Sequence, residues 1–433
     1  MPIKPNKFLL IAFLAISLPS IGQITDSPYS SHGFGLPQQG TFGLNRSIGN
    51  TGVGIRSPQF INTLNPASYS SFDLTVFEAG IISQYNEFSV DTSSFSSTSA
   101  SFAYLGFGVP ILPWWGLSFG LQPFTSVGYN YVGTQTEPGL GTFSTSYRGT
   151  GGVNKVYVGN GFKYKRLSAG FSANYLFGSI NRDRRVAFDP NIIPFNTIAI
   201  DTFFVSDFSF DLGAQYVQPL DTIGRNKLTF GATYGLSSNL NTSRQQFIAS
   251  FSSLDVGDLV RDTIAFESST GSFVLPENFG AGISFTRGER WLIAADWKHS
   301  RWADHSAFGR NDSLANSTEF SFGFQFSPEE DPARAAQVYH RIVQYRAGFR
   351  FNQSHIMVRN TQIQEYGITI GVGLPLRRTR APQMGITRPS VINIGIEAGQ
   401  RGALAEGLLR ERYIRLNLGL TINDRWFIKR RYD

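Results

Sequence analysis

The stretch that decides the fold class is Leu167-Ser168-Ala169-Gly170-Phe171-Ser172-Ala173-Asn174-Tyr175-Leu176-Phe177-Gly178. Successive side chains of a strand point to opposite faces. This run sets Leu167, Ala169, Phe171, Ala173, Tyr175 and Phe177 against Ser168, Gly170, Ser172, Asn174, Leu176 and Gly178. One face is apolar and the other is small or polar. The same alternation runs through 115–122 and 227–235, and in 207–216 it places Asp207 and Asp211 on the second face, which implies water there. Ten further segments read the same way: 74–82, 102–109, 153–162, 279–285, 291–298, 318–326, 341–351, 366–374, 391–399 and 412–422. The total is about fourteen strands, a number typical of barrels that face lipid outside and a polar lumen inside.

A soluble β-sandwich would carry Lys, Glu and Thr on its outward faces. Here the second face is rich in Gly, Ser and Asn, charged residues are 16% of the chain and aromatic ones 14%. The expected fold is therefore an all-β, transmembrane antiparallel barrel. Short connections near 110–114, 163–166, 218–226 and 286–290 alternate with long ones at 83–101, 125–152, 179–203 and 238–278. Bacterial outer-membrane barrels combine short periplasmic turns with long extracellular loops. That pattern predicts an outer-membrane location with both chain ends in the periplasm.

The chain opens with Lys4 and Lys7, an apolar run from Phe8 to Leu18, and small residues at Ser20 and Gly22. This is the pattern of a secretory signal peptide cut before Gln23. The sequence contains no cysteine, which rules out a disulfide framework. The formal charge of +7 becomes +5 once the two signal lysines leave, 36 basic against 31 acidic groups, too even a balance for a nucleic-acid binder. Between Gln23 and Asp73 there is no convincing alternation, yet Tyr29, Phe34, Phe42 and Phe60 make the segment too aromatic for a disordered tail. A lumenal plug fits better. The predicted organisation is a signal peptide at 1–22, a plug at 23–73, the barrel at 74–422 and a basic periplasmic tail at 423–433.

Asn65-Pro66-Ala67 just ahead of the first strand resembles the NPA box of the FadL-type outer-membrane transporters of long-chain fatty acids and other hydrophobic compounds. Gln122-Pro123-Phe124-Thr125-Ser126-Val127-Gly128-Tyr129, Gly151-Gly152-Val153-Asn154-Lys155-Val156-Tyr157, Leu275-Pro276-Glu277 and Tyr345-Arg346-Ala347-Gly348 are similar to further pieces of that family, in the same order. The resemblance implies a fourteen-stranded barrel whose N-terminal hatch fills the lumen and moves when ligand binds. The closing Asp424-Arg425-Trp426-Phe427-Ile428-Lys429-Arg430-Arg431 departs from barrels that end on an aromatic residue and resembles a branch with a basic tail. Subunits of type IX secretion resemble the same family.

No enzyme is expected. Gly116-Leu117-Ser118-Phe119-Gly120 matches a nucleophile-elbow pattern, but that motif needs a strand-to-helix turn and Ser118 stands in mid-strand. The five histidines have no structural-metal spacing, although His299, Asp304 and His305 share one loop, and no cofactor is expected. Pro123 removes a ladder donor, so either the strand ends at Leu121 or, if it runs on, it is locally unpaired and opens the wall sideways, as the resemblance implies for the family's third strand. Asp207, Asp211, Asp296, Lys298, Arg346, Arg350 and Glu397 fall on inward faces, and Arg46 and Arg56 of the plug are expected to pair with acids among them. The leading expectation is passive uptake of hydrophobic small molecules such as fatty acids, in contact with outer-membrane lipids and lipopolysaccharide. The alternative is a plugged-barrel accessory of an outer-membrane secretion or assembly complex.

Overall fold

The structure, a computed structural model, describes residues 27–90, 93–139, 141–188, 195–254, 257–311, 313–329, 339–376, 388–404 and 408–424. The signal segment 1–22, the run Arg377-Arg378-Thr379-Arg380 and the tail beyond Asp424 lie outside the described residues.

Fourteen strands close into an antiparallel barrel. They are β1 Thr75–Val90, β2 Ser93–Leu112, β3 Trp115–Glu137, β4 Gly141–Tyr164, β5 Leu167–Phe188, β6 Asn196–Pro219 and β7 Asn226–Gly235. The second half is β8 Asn278–Arg287, β9 Trp291–Ser300, β10 Ser317–Phe326, β11 Gln344–Val358, β12 Thr361–Pro375, β13 Val391–Arg401 and β14 Arg410–Asp424. Each pairs with its sequence neighbours, and β14 closes on β1 from Asp424 opposite Thr75 to Arg410 opposite Ser89. Each of the fourteen predicted strands coincides with one of these, although 74–82 starts one residue and 341–351 three residues before the observed strand.

The alternation becomes geometry. On β5 and β6 the side chains of Phe171, Tyr175, Phe208, Phe210 and Leu212 are exposed while Ser172, Asn174 and Ser209 beside them are buried. A closed barrel wearing so many exposed Phe, Ile, Leu and Tyr residues has a surface that lipid covers.

The strands are longer than predicted. β3 to β6 run to 23, 24, 22 and 24 residues, whereas crossing the hydrocarbon takes about 9–11. Much of 83–101, 125–152 and 179–203, expected as loop, continues the strands beyond the lipid. The segment 238–278 is a hairpin, Ser238–Leu254 and Gly257–Leu275, not a loop. Its first strand pairs with the outer half of β6, Asn196–Val205, while β7 pairs with the inner half, Asp211–Pro219.

Residues 27–74 lie inside the barrel. The segment's regular elements are 3-10 turns at Pro28–Ser31 and Pro66–Ser71, a two-residue strand at Leu36–Pro37 and a short helix at Gly43–Arg46; the Gly43–Arg46 helix and the Pro66–Ser71 turn are almost wholly buried. Ser27 Oγ donates to Glu411 Oε2 at 2.6 Å, near the start of β14, while the far end of β14 meets Thr75. The first described residue and the last therefore lie toward opposite mouths. The N-terminal segment runs the length of the lumen before it enters the wall; the two chain ends themselves, expected on one side, lie outside the described residues.

Candidate functional site

The N-terminal segment is seated by glycines on the wall. A Cβ added at Gly116 would lie 1.9 Å from Tyr69 O, at Gly170 2.5 Å from the Pro66 carbonyl carbon, at Gly231 2.0 Å from Val53 O and at Gly348 2.2 Å from Gly49 N. Those four sit on β3, β5, β7 and β11, so backbone presses on backbone around most of the circumference. The small inward face read as a wet lumen is, at this level, a dry seat for another piece of the same chain.

The Asn65-Pro66-Ala67 box is central to that seat. Asn65 caps the 3-10 helix by accepting from Ala67 N at 3.1 Å, and its amide donates to Val53 O at 2.9 Å and to Ala214 O of β6 at 3.1 Å. Asparagine satisfies a helix start because its side-chain oxygen replaces a missing acceptor. The remaining half of the amide ties the box to the wall.

Arg46 and Arg56 do not pair with Asp207 or Asp211. Arg46 donates to Thr41 O and Gln39 O, both at 2.6 Å, and to Asn417 Oδ1 at 3.4 Å. Arg56 donates to Ser168 Oγ at 2.8 Å and Ser70 Oγ at 2.9 Å. Burial pushes both guanidiniums down to about 10, which leaves them charged at neutral pH. Asp207 instead accepts from Asn241 N at 2.9 Å at the root of the hairpin, and Asp211 accepts from Asn174 Nδ2 at 2.8 Å. The wall acids do hold the segment, but through its backbone: they take N–H groups rather than arginine side chains. Asp296 Oδ2 accepts from Gly52 N and Val53 N at 2.6 and 2.8 Å, and Glu78 Oε1 from Ile61 N at 2.7 Å. Backbone donors leave no mark in a sequence, which is why side-chain charge matching failed.

Above the seat lies a cavity of about 310 Å³. Its apolar lining is Leu36, Pro37, Phe124, Leu236, Leu275 and Trp302, from the N-terminal segment, β3, the hairpin and its surroundings. Its charged lining includes Lys298, Glu319, Arg350, Glu365, Arg401 and Arg415, one from each strand β9 to β14, together with Lys155 of β4 and Asp211 of β6. Arg350 bridges Glu365 at 2.8 Å and Glu397 at 3.0 Å, Arg401 bridges Glu365 and Glu411 at 3.1 Å each, and Arg415 bridges Glu397 at 3.0 Å. Sequence reading placed Arg350 and Glu397 on inward faces but passed over Glu365, Arg401, Glu411 and Arg415, each of which alternates with an outward apolar or exposed neighbour and was legible by the same rule.

Beside the cavity the wall is open on one line. β2 and β3 pair only from Leu112 opposite Trp115 to Leu105 opposite Leu121. Beyond that, β2 continues to Ser93 paired with β1 alone, and β3 continues to Glu137 paired with β4, with a bulge between Pro123 and Thr125. The free edge of β3 is met from within: Leu36 pairs with Ser126, Pro37 with Thr125, Gln38 N donates to Phe124 O at 2.9 Å, and Gly128 N donates to Ser30 Oγ at 3.0 Å. Phe34, next in this strap, is 2% exposed and meets Phe124 and Phe273 edge-on at 6.2 and 5.3 Å between ring centres.

Ser118 is buried in mid-strand and its Oγ donates to Phe107 O at 2.9 Å. His299 turns Nδ1 to Thr318 Oγ1 at 3.0 Å and His305 to Val274 O at 2.7 Å. Among the described residues no three acidic or histidine side chains are grouped to hold a metal.

A family model described as BamG matches residues 3–433. The fold is similar to the Pseudomonas putida toluene transporter TodX, with a TM-score of 0.58, 17% identity, 90% of this chain and 99% of that one covered. It is also similar to the Ralstonia pickettii toluene transporter TbuX, TM-score 0.55, 12% identity, covering 89% and 99%. A Pseudomonas aeruginosa FadL homologue gives TM-score 0.55 at 12% identity over 88% and 98%. No curated protein matches the sequence.

Proposed function

The chain belongs to the BamG family, and we propose that it is a plugged barrel of the bacterial outer membrane through which small hydrophobic compounds, fatty acids among them, pass passively. Residues 27–73 act as the plug, and the turns at the mouth where β14 meets Thr75 face the periplasm. The observation that carries this reading is the seam. A seam along which β2 and β3 do not pair with each other for most of their outer length, beside a cavity with an apolar side and covered by the strap from Ser30 to Gln38, is a route for cargo from the lumen into the membrane that avoids the periplasmic floor. Lipid and lipopolysaccharide surround the wall. The fold shared with toluene transporters agrees with apolar cargo.

A second reading is favoured by a specific observation. The charged side of the cavity, with Arg350, Arg401 and Arg415 in place, and the wall-to-wall seating of the plug suit a barrel kept shut, serving as an accessory of an outer-membrane secretion or assembly complex. One pair of measurements separates the two. Cells lacking the protein are complemented with the wild type or Pro123→Ala, and uptake of a labelled fatty acid and of toluene is followed while the tagged barrel is purified in gentle detergent. Uptake that depends on the protein and falls in Pro123→Ala supports transport. Uptake indifferent to the protein, together with stoichiometric protein partners, overturns it in favour of the accessory.

A further inference from the structure

The hairpin Ser238–Leu275 extends the sheet beyond β7, and only its root, at Phe273 and Leu275, meets the strap and the cavity. Its first strand continues the sheet from β6, and its second, Gly257–Leu275, pairs with the first along its whole length. On the other side of that second strand the only pairing among the described residues is Phe273 with Ala307. From Ala265 to Ser272 the register to the first strand is regular, after bulges at Val260/Asp262 and Thr263/Ala265. The hairpin therefore ends in an edge, Ala265–Ser272, on which among the described residues the one backbone group bonded beyond the first strand is Ser272 O, accepting from Phe308 N at 3.0 Å, with the Phe308 ring beside Gly271; Ala265–Thr270 is open.

An apolar strip leads to this edge. Ile198, Ala249 and Phe251 form a buried cluster with Ile200 and Phe247 packed against it. Cross-strand partners share a face, so Val260 opposite Phe251 and Phe266 opposite Phe247 extend the same strip to the last strand. There the cover stops: Val260 is 50% and Phe266 66% exposed. Long exposed edges with apolar side chains are templates for pairing with another strand.

We propose that this edge docks an extended segment of a different outer-membrane-associated protein by strand addition, with apolar residues continuing the strip and a basic residue opposite Glu267, the one charge in Ala265–Ser272. A second copy is the wrong occupant on geometric grounds. Two barrels in one membrane are related by an axis along its normal, which keeps their edge strands parallel and brings identical residues level. Parallel strands need a one-residue offset for their hydrogen bonds to meet, and like edges would also set Glu267 against Glu267. The inference is independent of whether the barrel transports.

Hydrogen exchange tests it on the full-length protein in isolated outer membranes and after stringent purification in detergent. The expected result is that amides in Ala265–Ser272 exchange at least tenfold more slowly in the native membrane than in the purified barrel. Phe266→Lys and Glu267→Arg, both at exposed positions, should remove that protection while the barrel keeps its heat-resistant mobility on gels. Equal exchange in the two settings overturns the proposal. So does protection that survives both substitutions, or co-purification of two differently tagged copies with the protection intact.

Discussion

Removing the Asp296 carboxylate should unseat the middle of the plug without opening the barrel wall. Asp296 is 4% exposed and one of its oxygens takes two backbone donors, Gly52 N and Val53 N. A hydrogen bond to a charged group contributes about 1.5–3 kcal/mol, so Asp296→Ala forfeits about 3–6 kcal/mol of attachment. Part of this is returned, because burying a carboxylate has its own cost; a net loss of about 3 kcal/mol is a fair working figure. At about 1.4 kcal/mol per tenfold, the population in which residues 50–54 leave the wall rises roughly a hundredfold. The assay is hydrogen exchange at Gly52 and Val53 in detergent, with the wall strand amides as internal reference. Asp296→Asn, which keeps an acceptor oxygen, should fall between the two. Unchanged exchange at Gly52 and Val53 in Asp296→Ala would refute the view that wall acids hold the plug through its backbone.

Gly213→Val puts a Cβ where Asn65 Oδ1 would be 2.1 Å away; overpacking of this kind costs about 1–3 kcal/mol, so the plug should become cleavable by added protease while the barrel remains heat-resistant. Asn65→Ala removes the cap of the Pro66–Ser71 helix and the amide bonds to Val53 and Ala214, with an expected loss of about 1–2 kcal/mol, read as earlier plug release in a denaturant titration. Arg350→Met leaves Glu365 to Arg401 and Glu397 to Arg415, one cation each in place of two; breaking a buried pair outright costs about 3–5 kcal/mol, which bounds the loss from above. Its melting temperature should drop and should recover in part when Glu365→Gln is added. Recovery that fails would mean the network is not what stabilises β11 to β14.

The fold was legible because lipid imposes a simple rule. In Leu167–Phe177 the apolar face must meet hydrocarbon, and the period of two appears without interference. The rule lapses beyond the hydrocarbon. In Ser238–Leu254 both faces can meet water or protein, the sequence Ser-Asn-Leu-Asn-Thr-Ser-Arg-Gln-Gln loses its contrast, and a 17-residue strand reads as loop. The glycines of β3, β5, β7 and β11 were visible, but a glycine facing water and a glycine facing backbone look the same in one dimension. The bend at Pro123 was readable, since proline states its own missing donor, whereas the strap residues Leu36 and Pro37 that cover it carry no signal until register brings them to Ser126 and Thr125. The acids Asp296 and Glu78 hold the plug through N–H groups that every residue but proline possesses.

The seam is tested most directly by locking it. The sequence has no cysteine, so Pro37→Cys with Thr125→Cys introduces one pair at positions directly opposed across the strap and β3, where antiparallel partners stand close enough for a disulfide. Flux of a labelled hydrophobic compound into outer-membrane vesicles is then measured oxidised and reduced. The account predicts that oxidation stops flux and that a reductant restores it. Flux that is equal in both states, with the cross-link complete, would contradict it.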